Sequence, residues 1–434
     1  MNKNCAFSIC AKNYVPLARL LGQSILNKSK ECDFYIIIAD EIDDSFEKLS
    51  NEFVAKDILG FDNNTWNSLA FKYDVTEFCT FLKPYSFEFF LKKYSNVCYI
   101  DPDIYFYDSF DKVIKEFSDC EFLLTPHISY VDYESADHIQ IEDELRGSGL
   151  FNFGFLGLKK SKDTLSFVKW WQKRLYDKCY RDSINYLYTD QVWGNYILTY
   201  YDLAKIKVIK HLGWNIAPWN YSEREIELHK DKLFVKKRNS KGKAEPVLFV
   251  HYSGYNYAAL CDGTIEQNNN GHEYLYSDIN LLFDKYRTVM LKNKEALKSG
   301  LLKKYSYNFY SNGKKIQLFH RRLFRSLMIN NIDVGNPFDC NNQNFYLKLN
   351  KAKLVYDDSG VCRNTAVVSA SSTKLKVLNS IMRMLYRILG VNRYISFLKL
   401  LKGYGQFENQ LHLIDSKYNV LWYRKIIVGL DNKE

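Results

Sequence analysis

Two aspartates separated by one residue close an apolar run, Tyr99-Ile100-Asp101-Pro102-Asp103-Ile104-Tyr105. In an extended backbone residues i and i+2 face the same side, so Asp101 and Asp103 can address one cation. Carboxylate oxygens suit Mg2+ or Mn2+, above all where a diphosphate supplies further oxygens. Pro102 stiffens the link and donates no hydrogen bond. A lone Asp-x-Asp is commonly a surface turn; its place directly after an apolar strand makes it a candidate metal site. Far along the chain, Phe249-Val250-His251-Tyr252-Ser253-Gly254 again ends an apolar run on a metal-competent side chain, and small residues that permit close backbone approach follow it. An isolated histidine is more often satisfied in a core or a turn. Joined to the two aspartates, an Asp101, Asp103 and His251 set shifts the expected ion towards Mn2+.

The elements that must hold these residues alternate. Cys5 to Ala11 reads as a buried strand, Tyr14 to Leu26 as a periodic helix and Phe34 to Ala39 as a second strand. Val75 to Tyr94 reads as a long helix despite Pro84, and Val97 to Ile100 as a short strand ending on Asp101. A helix at Asp111 to Phe117, strands at Glu121 to Thr125 and Phe151 to Leu158, and helices near Leu165 to Leu175 and Val192 to Tyr200 continue the order, with Val247 to His251 as a last strand. Such β-α-β alternation predicts an α/β fold with a mainly parallel sheet, and function at the strands' carboxyl ends. Thr189 and Asp190 stand just before an apolar periodic segment, where either would cap a helix. Beyond about Met290 the pattern changes to basic helical pieces, which divides the chain into a catalytic region, 1–290, and a helical basic region, 291–434.

Composition fits a folded enzyme: 47% of the 434 residues are apolar and 25% charged, far from a disordered chain. The 34 Tyr and 29 Phe offer flat faces with polar edges that suit sugars and bases, although most belong to a core. Ten scattered cysteines without a C-x-x-C pair form no zinc framework and point to reduced thiols in cytosol. No secretory apolar core begins the chain, and no apolar run is long enough to span a bilayer, so a cytoplasmic protein, soluble or peripheral, is expected.

The pieces occur in the order and approximate spacing of GT-A glycosyltransferases, and residues 4 to 260 resemble family 8 and related bacterial surface-polysaccharide (O-antigen and capsule) transferases. The blocks that carry the resemblance are Ser8-Ile9-Cys10-Ala11-Lys12-Asn13-Tyr14, Phe81-Leu82-Lys83-Pro84, Asp101-Pro102-Asp103, Leu124-Thr125-Pro126-His127, Phe151 to Leu158, Thr189-Asp190-Gln191, Asn215 to Asn220 and the His251 segment. The resemblance implies a Rossmann-like GT-A fold and transfer, with retention, of a hexose from a UDP-linked donor to a growing polysaccharide or lipid-linked oligosaccharide, with Mn2+ or Mg2+. It implies that Ala11, Lys12, Asn13 and Tyr14 receive the nucleotide and that Lys83 lies near the diphosphate, where a cation offsets charge. It also implies that Asn152 and Gly154 contact the sugar, that Gly254 belongs to the donor-binding set, and that Asp190 and Gln191 lie beside the anomeric carbon and acceptor. One block departs: family 8 enzymes usually carry Lys-Pro-Trp after His-x-x-Gly, whereas Tyr255-Asn256-Tyr257-Ala258 follows Gly254 here. A transferase of furanose sugars is therefore an alternative. Rivals from other classes are a silent sugar-binding scaffold and an aspartyl-phosphate phosphotransferase, and Ile104-Tyr105 after the second aspartate fits the latter poorly.

The net charge of +10 is locally concentrated: Thr373 to Lys402 holds seven Lys or Arg and no acid. From Leu375 to Leu389 the apolar residues Leu378, Ile381, Leu385 and Ile388 follow helical spacing, with Lys376, Arg383 and Arg387 on another side. Such a helix either packs its stripe on a core or lies on an anionic membrane surface at the inner face of the cell membrane. Nucleic acid is not expected, because no binding module accompanies the charge.

Overall fold

The computed structural model describes residues 3–131, 136–267, 276–356 and 373–418. The chain divides into two compact units, one of residues 1–61 with 75–306 and one of 62–74 with 307–434. The first extends past the 290/291 division read from composition and takes in the helices Asn280–Lys292 and Lys294–Leu301.

At the centre of the first unit is β1 (Asn4–Cys10), buried along its whole length. A strand apolar on both faces calls for parallel neighbours with helices over each face. Accordingly β2 (Cys32–Ile38) and β4 (Asn96–Ile100) flank β1 in parallel, and β3 (Glu52–Val54) adds to β2 in the same sense. On the other side β7 (Phe151–Lys159) runs antiparallel to both β4 and β6 (Phe122–Pro126), and the strand Ile206–Val208 pairs in parallel with β6. The result is the expected α/β class, a seven-stranded, mainly parallel sheet.

Helices cover the sheet. Val15–Leu26 starts with a proline in its first turn, where the missing N–H is no loss, and buries Leu17, Leu21 and Ile25. Lys162–Lys178 opens with a capping box between Ser161 and Thr164. Val75–Leu91 keeps its helix through Pro84 and is apolar on most sides, burying Phe78, Phe81, Phe87 and Phe90. The carbonyl of Pro84 lies 3.4 Å from the Gln172 amide. The segment expected as a helix over Val192 to Tyr200 is instead a 3-10 helix, Gln191–Tyr196, followed by one α-helical turn, Ile197–Tyr200. A three-residue turn eclipses i and i+3, and it sets the rings of Trp193 and Tyr196 5.9 and 5.7 Å from that of Trp170.

The second unit is helical. Asp62 caps the helix Asn63–Lys72 by accepting from the Asn64 and Thr65 amides. Its carboxyl end is closed by the buried Arg321 of helix Leu318–Ile329, whose guanidinium donates to the carbonyls of Ala70, Phe71 and Tyr73. A planar cation with several donors suits the free carbonyls and negative dipole end of a helix. Around it Phe71, Phe324 and Phe345 pack edge to face. The helix Thr373–Tyr404 is broken at Gly390, where φ is +71°.

Candidate functional site

The two aspartates do converge, but a turn rather than a pleat brings them together. Asp101 directly follows β4, its amide donating to the Gly154 carbonyl of β7 (2.8 Å), and the Ile104 amide turns back onto the Asp101 carbonyl (3.1 Å). The chain then enters β5 (Ile104–Phe106), which pairs antiparallel with the strand Phe249–His251 so that His251 lies opposite Ile104. This two-stranded ribbon carries the imidazole to the aspartates. His251 Nε2 lies 3.1 Å from Asp103 Oδ1 and 3.7 Å from Asp101 Oδ2. One ligand atom from each of the three falls within 4.8 Å of the others.

The ring of His251 is oriented from behind. Its Nδ1–H donates to Asn152 Oδ1 (3.2 Å), which aims Nε2 at the carboxylates, so that the ring once deprotonated presents its Nε2 lone pair there, the tautomer a metal ligand requires. Edge-to-face contact with Trp219 (5.2 Å) fixes the plane. Gly154 forms the floor: a Cβ there would stand 2.5 Å from His251 Cε1 and 2.8 Å from both Asn152 Oδ1 and Asp101 Oδ2. Two hard oxygens, one imidazole nitrogen and a floor without a side chain fit a divalent ion of the Mn2+ or Mg2+ type.

Electrostatics within the cluster are strongly coupled. Burial raises the Asp101 carboxyl above its ordinary range although Lys83 opposes it. Burial acts the same way on Asp103, but His251 and the hydroxyl of Tyr257 outweigh it and hold Asp103 below that range. Burial pulls His251 down, whereas Asp103 and Asp101 raise it further, so the imidazolium is favoured beside the bare carboxylates.

Lys83, on the helix Val75–Leu91, is buried rather than solvated. Its ammonium lies 2.7 Å from Asp190 Oδ2, 2.9 Å from the Phe153 carbonyl, 3.9 Å from Asp101 Oδ1 and 4.2 Å from the centre of the Tyr99 ring. Burial opposes the charge, but Asp190 and Asp101 hold its pKa above that of an ordinary lysine. Tyr99 in turn donates to Asp101. Lys83 thus ties the metal-side carboxylate to Asp190. The capping alternative for Asp190 does not hold, since its side chain bonds no helix amide; Thr189, at φ +46°, donates to Asp190 Oδ1 (3.1 Å).

A cleft of about 780 Å³ opens over this cluster. Lys83, Asp101, His251, Asn152 and Gly154 line its floor, and Asp190 and Gln191 line it as well. Ala11, Lys12, Asn13, Tyr14, Asp103 and Gly254 are not among the residues lining that cleft. Ala11, just after β1, is buried, and Lys12 uses its ammonium on Ser306 (2.6 Å) and the Glu41 carbonyl (3.1 Å). Asn13 is half-buried in the 3-10 turn Lys12–Tyr14. Tyr14 reaches the aspartates indirectly: its ring meets that of Tyr257 edge-on (5.7 Å), and Tyr257 Oη lies 3.1 Å from Asp103 Oδ2. Burial, with Asp103 adding to it, pushes the Tyr14 phenol up to about 12. Gly254 turns the chain after His251 at φ +77°, a conformation that favours glycine.

Sequence reasoning assigned no role to three residues that shape the site: His127, Trp219 and Tyr257. His127 and Trp219 line the cleft, their rings 5.4 Å apart, and burial pushes the imidazole of His127 down to about 4, so it is neutral. Asn220 places Trp219 by bonding the carbonyls of His127 (3.0 Å) and Asn215 (2.9 Å) and the Ala217 amide (2.9 Å). Their signal was present in the Thr-Pro-His and Pro-Trp-Asn blocks.

No family model matches the chain. It is 23% identical over 236 residues to uncharacterized protein YfnF of Bacillus subtilis (strain 168), covering 54% of this chain and 73% of that relative. Among solved structures it is similar to mouse xyloside xylosyltransferase 1 in its apo form, at 12% identity and a TM-score of 0.34, over 58% of this chain and 98% of that one. It is also similar to the galactosyltransferase LgtC in complex with donor and acceptor sugar analogs, at 16% identity and a TM-score of 0.35, over 68% of this chain and 100% of that one.

Proposed function

We propose that the chain is a metal-dependent glycosyltransferase of GT-A type that moves a hexose from a UDP-linked donor to a glycan or lipid-linked glycan, retaining the anomeric configuration. The observation that carries this reading is the convergence of Asp101, Asp103 and His251 above the bare floor at Gly154, beside a buried Lys83–Asp190 pair in one cleft. Asp101, Asp103 and His251 would hold the divalent ion, which when bound neutralises charge on a departing nucleoside diphosphate. Ala11 to Tyr14, at the carboxyl end of β1, receive the nucleotide, in keeping with ligand binding at the ends of parallel strands. Lys83 adds positive potential to the floor of the cleft. Asn152 keeps His251 in the ligating tautomer, Gly154 leaves space for the sugar ring, and Asp190 and Gln191 address the anomeric carbon and the acceptor hydroxyl. Gly254 lets the chain turn closely past the phosphates.

A panel of nucleotide sugars with Mn2+, read by nucleoside diphosphate release, tests the proposal. One UDP-hexose should be turned over, and Asp103→Asn should slow that turnover at least about 100-fold, as loss of a charge acting on the leaving group does. Undiminished turnover by Asp103→Asn would remove the metal assignment. Tight binding of a donor that is never consumed would favour the sugar-binding scaffold.

A further inference from the structure

Most of the expected apolar stripe of the Thr373–Tyr404 helix stays open: Leu385 is half-buried, but Leu378, Ile381 and Ile388, with Met384 beside them, are 51%, 46%, 69% and 55% exposed. At about 100° per residue these four share one side of the helix, whereas Lys376, Arg383 and Arg387 share the other. After the break at Gly390 the pattern resumes, with Val391 54% and Ile395 45% exposed. Across the break the rings of Tyr386 and Tyr394 meet edge-on at 5.6 Å, so the two helical halves are joined by a ring contact as well as by the chain.

A row of half-exposed large aliphatic side chains on a single helix marks an interaction surface. Charge decides between occupants. Thr373 to Lys402 carries seven basic residues and no acidic one, so the helix of a second copy would offer these cations no carboxylate to pair with. A lipid surface with anionic headgroups meets both requirements, taking the aliphatic stripe into its outer acyl layer and the cations at its phosphates. No helix among the described residues is long and apolar enough to cross a membrane, so such an association lies along the surface.

We propose that the broken helix Thr373–Tyr404 is a docking surface for anionic membrane lipid, bound in the plane of the headgroups through Leu378, Ile381, Met384 and Ile388. Nothing in this depends on the cleft of the first unit, and it adds a lipid surface to the partners of the proposed transferase.

Flotation of the intact chain with phosphatidylcholine vesicles, with and without about 30% phosphatidylglycerol, tests it. The chain should float with the anionic vesicles only, and high salt should weaken the association. Ile381→Ser/Ile388→Ser and Arg383→Gln/Arg387→Gln should each weaken partitioning at least about tenfold, while thermal melting and vesicle-free nucleotide release stay as in the parent chain. Failure of the intact chain to float, or flotation of both variants equal to that of the parent chain, overturns the proposal. Concentration-dependent dimerisation that Ile381→Ser/Ile388→Ser abolishes would assign the stripe to a second copy and overturn it as well. Loss of nucleotide release with flotation intact would count against the transferase reading alone.

Discussion

At the residue scale, the site depends on how single oxygens and nitrogens are aimed. Tyr257 stands on the far side of Asp103 from His251, so Asp103 has one oxygen held by each. Tyr257→Phe removes that hold without emptying space. Its Mn2+ dissociation constant, read by electron paramagnetic resonance, should rise about 10- to 100-fold, the scale for losing a residue that orients a ligand, with a slightly lower melting temperature because the buried Tyr252 carbonyl loses the same hydroxyl. Gly154→Ala should act more severely, because its Cβ would stand 2.5 Å from His251 Cε1. Overpacking of this kind costs about 1–3 kcal/mol, so both a lower melting temperature and loss of Mn2+ binding are expected. The sign of the pH dependence follows from His251, whose pKa is raised by Asp103 and Asp101 beyond what burial takes away. An ion can bind only the neutral imidazole and must displace a proton. Mn2+ affinity should therefore fall as pH drops from about 8 to about 6, and a flat titration over that range would contradict ligation through His251.

At the scale of elements, the helix Val75–Leu91 and the 3-10 helix Gln191–Tyr196 are joined through one ion pair, Lys83 with Asp190, each side chain only 3% exposed. Removing one member leaves a buried charge uncompensated, at a cost of about 3–5 kcal/mol. Lys83→Met and Asp190→Leu should each lower the unfolding free energy by roughly that amount, whereas the double variant should recover most of it. Nucleotide release should recover in neither. That contrast, measured by denaturant unfolding and turnover on the same samples, separates a structural pair from one that also serves the reaction. Much at this scale was legible beforehand. β1, β4 and β7 announce themselves by apolar runs. The 3-10 course of Gln191–Tyr196 was not legible, because an aromatic-rich segment of period near three or four satisfies both helix types until Trp170 decides the packing.

On the scale of the whole molecule, the chain is two compact units, and the segment 62–74 belongs with residues 307–434 rather than with its sequence neighbours. Composition alone could not reveal this, since what assigns Asn63–Lys72 to the later unit is Arg321 filling the carbonyl end of that helix together with the ring contacts of Phe71. Arg321→Met should destabilise the second unit by about 3 kcal/mol or more, since the buried carbonyls of Ala70, Phe71 and Tyr73 lose a charged donor. Loss of hydrogen-exchange protection concentrated in 62–74 and 307–350 would report it.

By itself the sequence determined which residue types end which apolar runs, and hence the α/β alternation, the aspartate pair, the distant histidine and a charged amphipathic helix, because periodicity and local chemistry are written residue by residue. Only tertiary structure decided what those residues face. The antiparallel ribbon of β5 with Phe249–His251 brought the imidazole to the aspartates, and burial turned Lys83 from a surface cation into the partner of Asp190. It also left the stripe of Leu378, Ile381 and Ile388 open instead of packed. Strand pairing, ion pairing and the covering of an apolar face each join positions remote in the chain, and no local pattern specifies their partner.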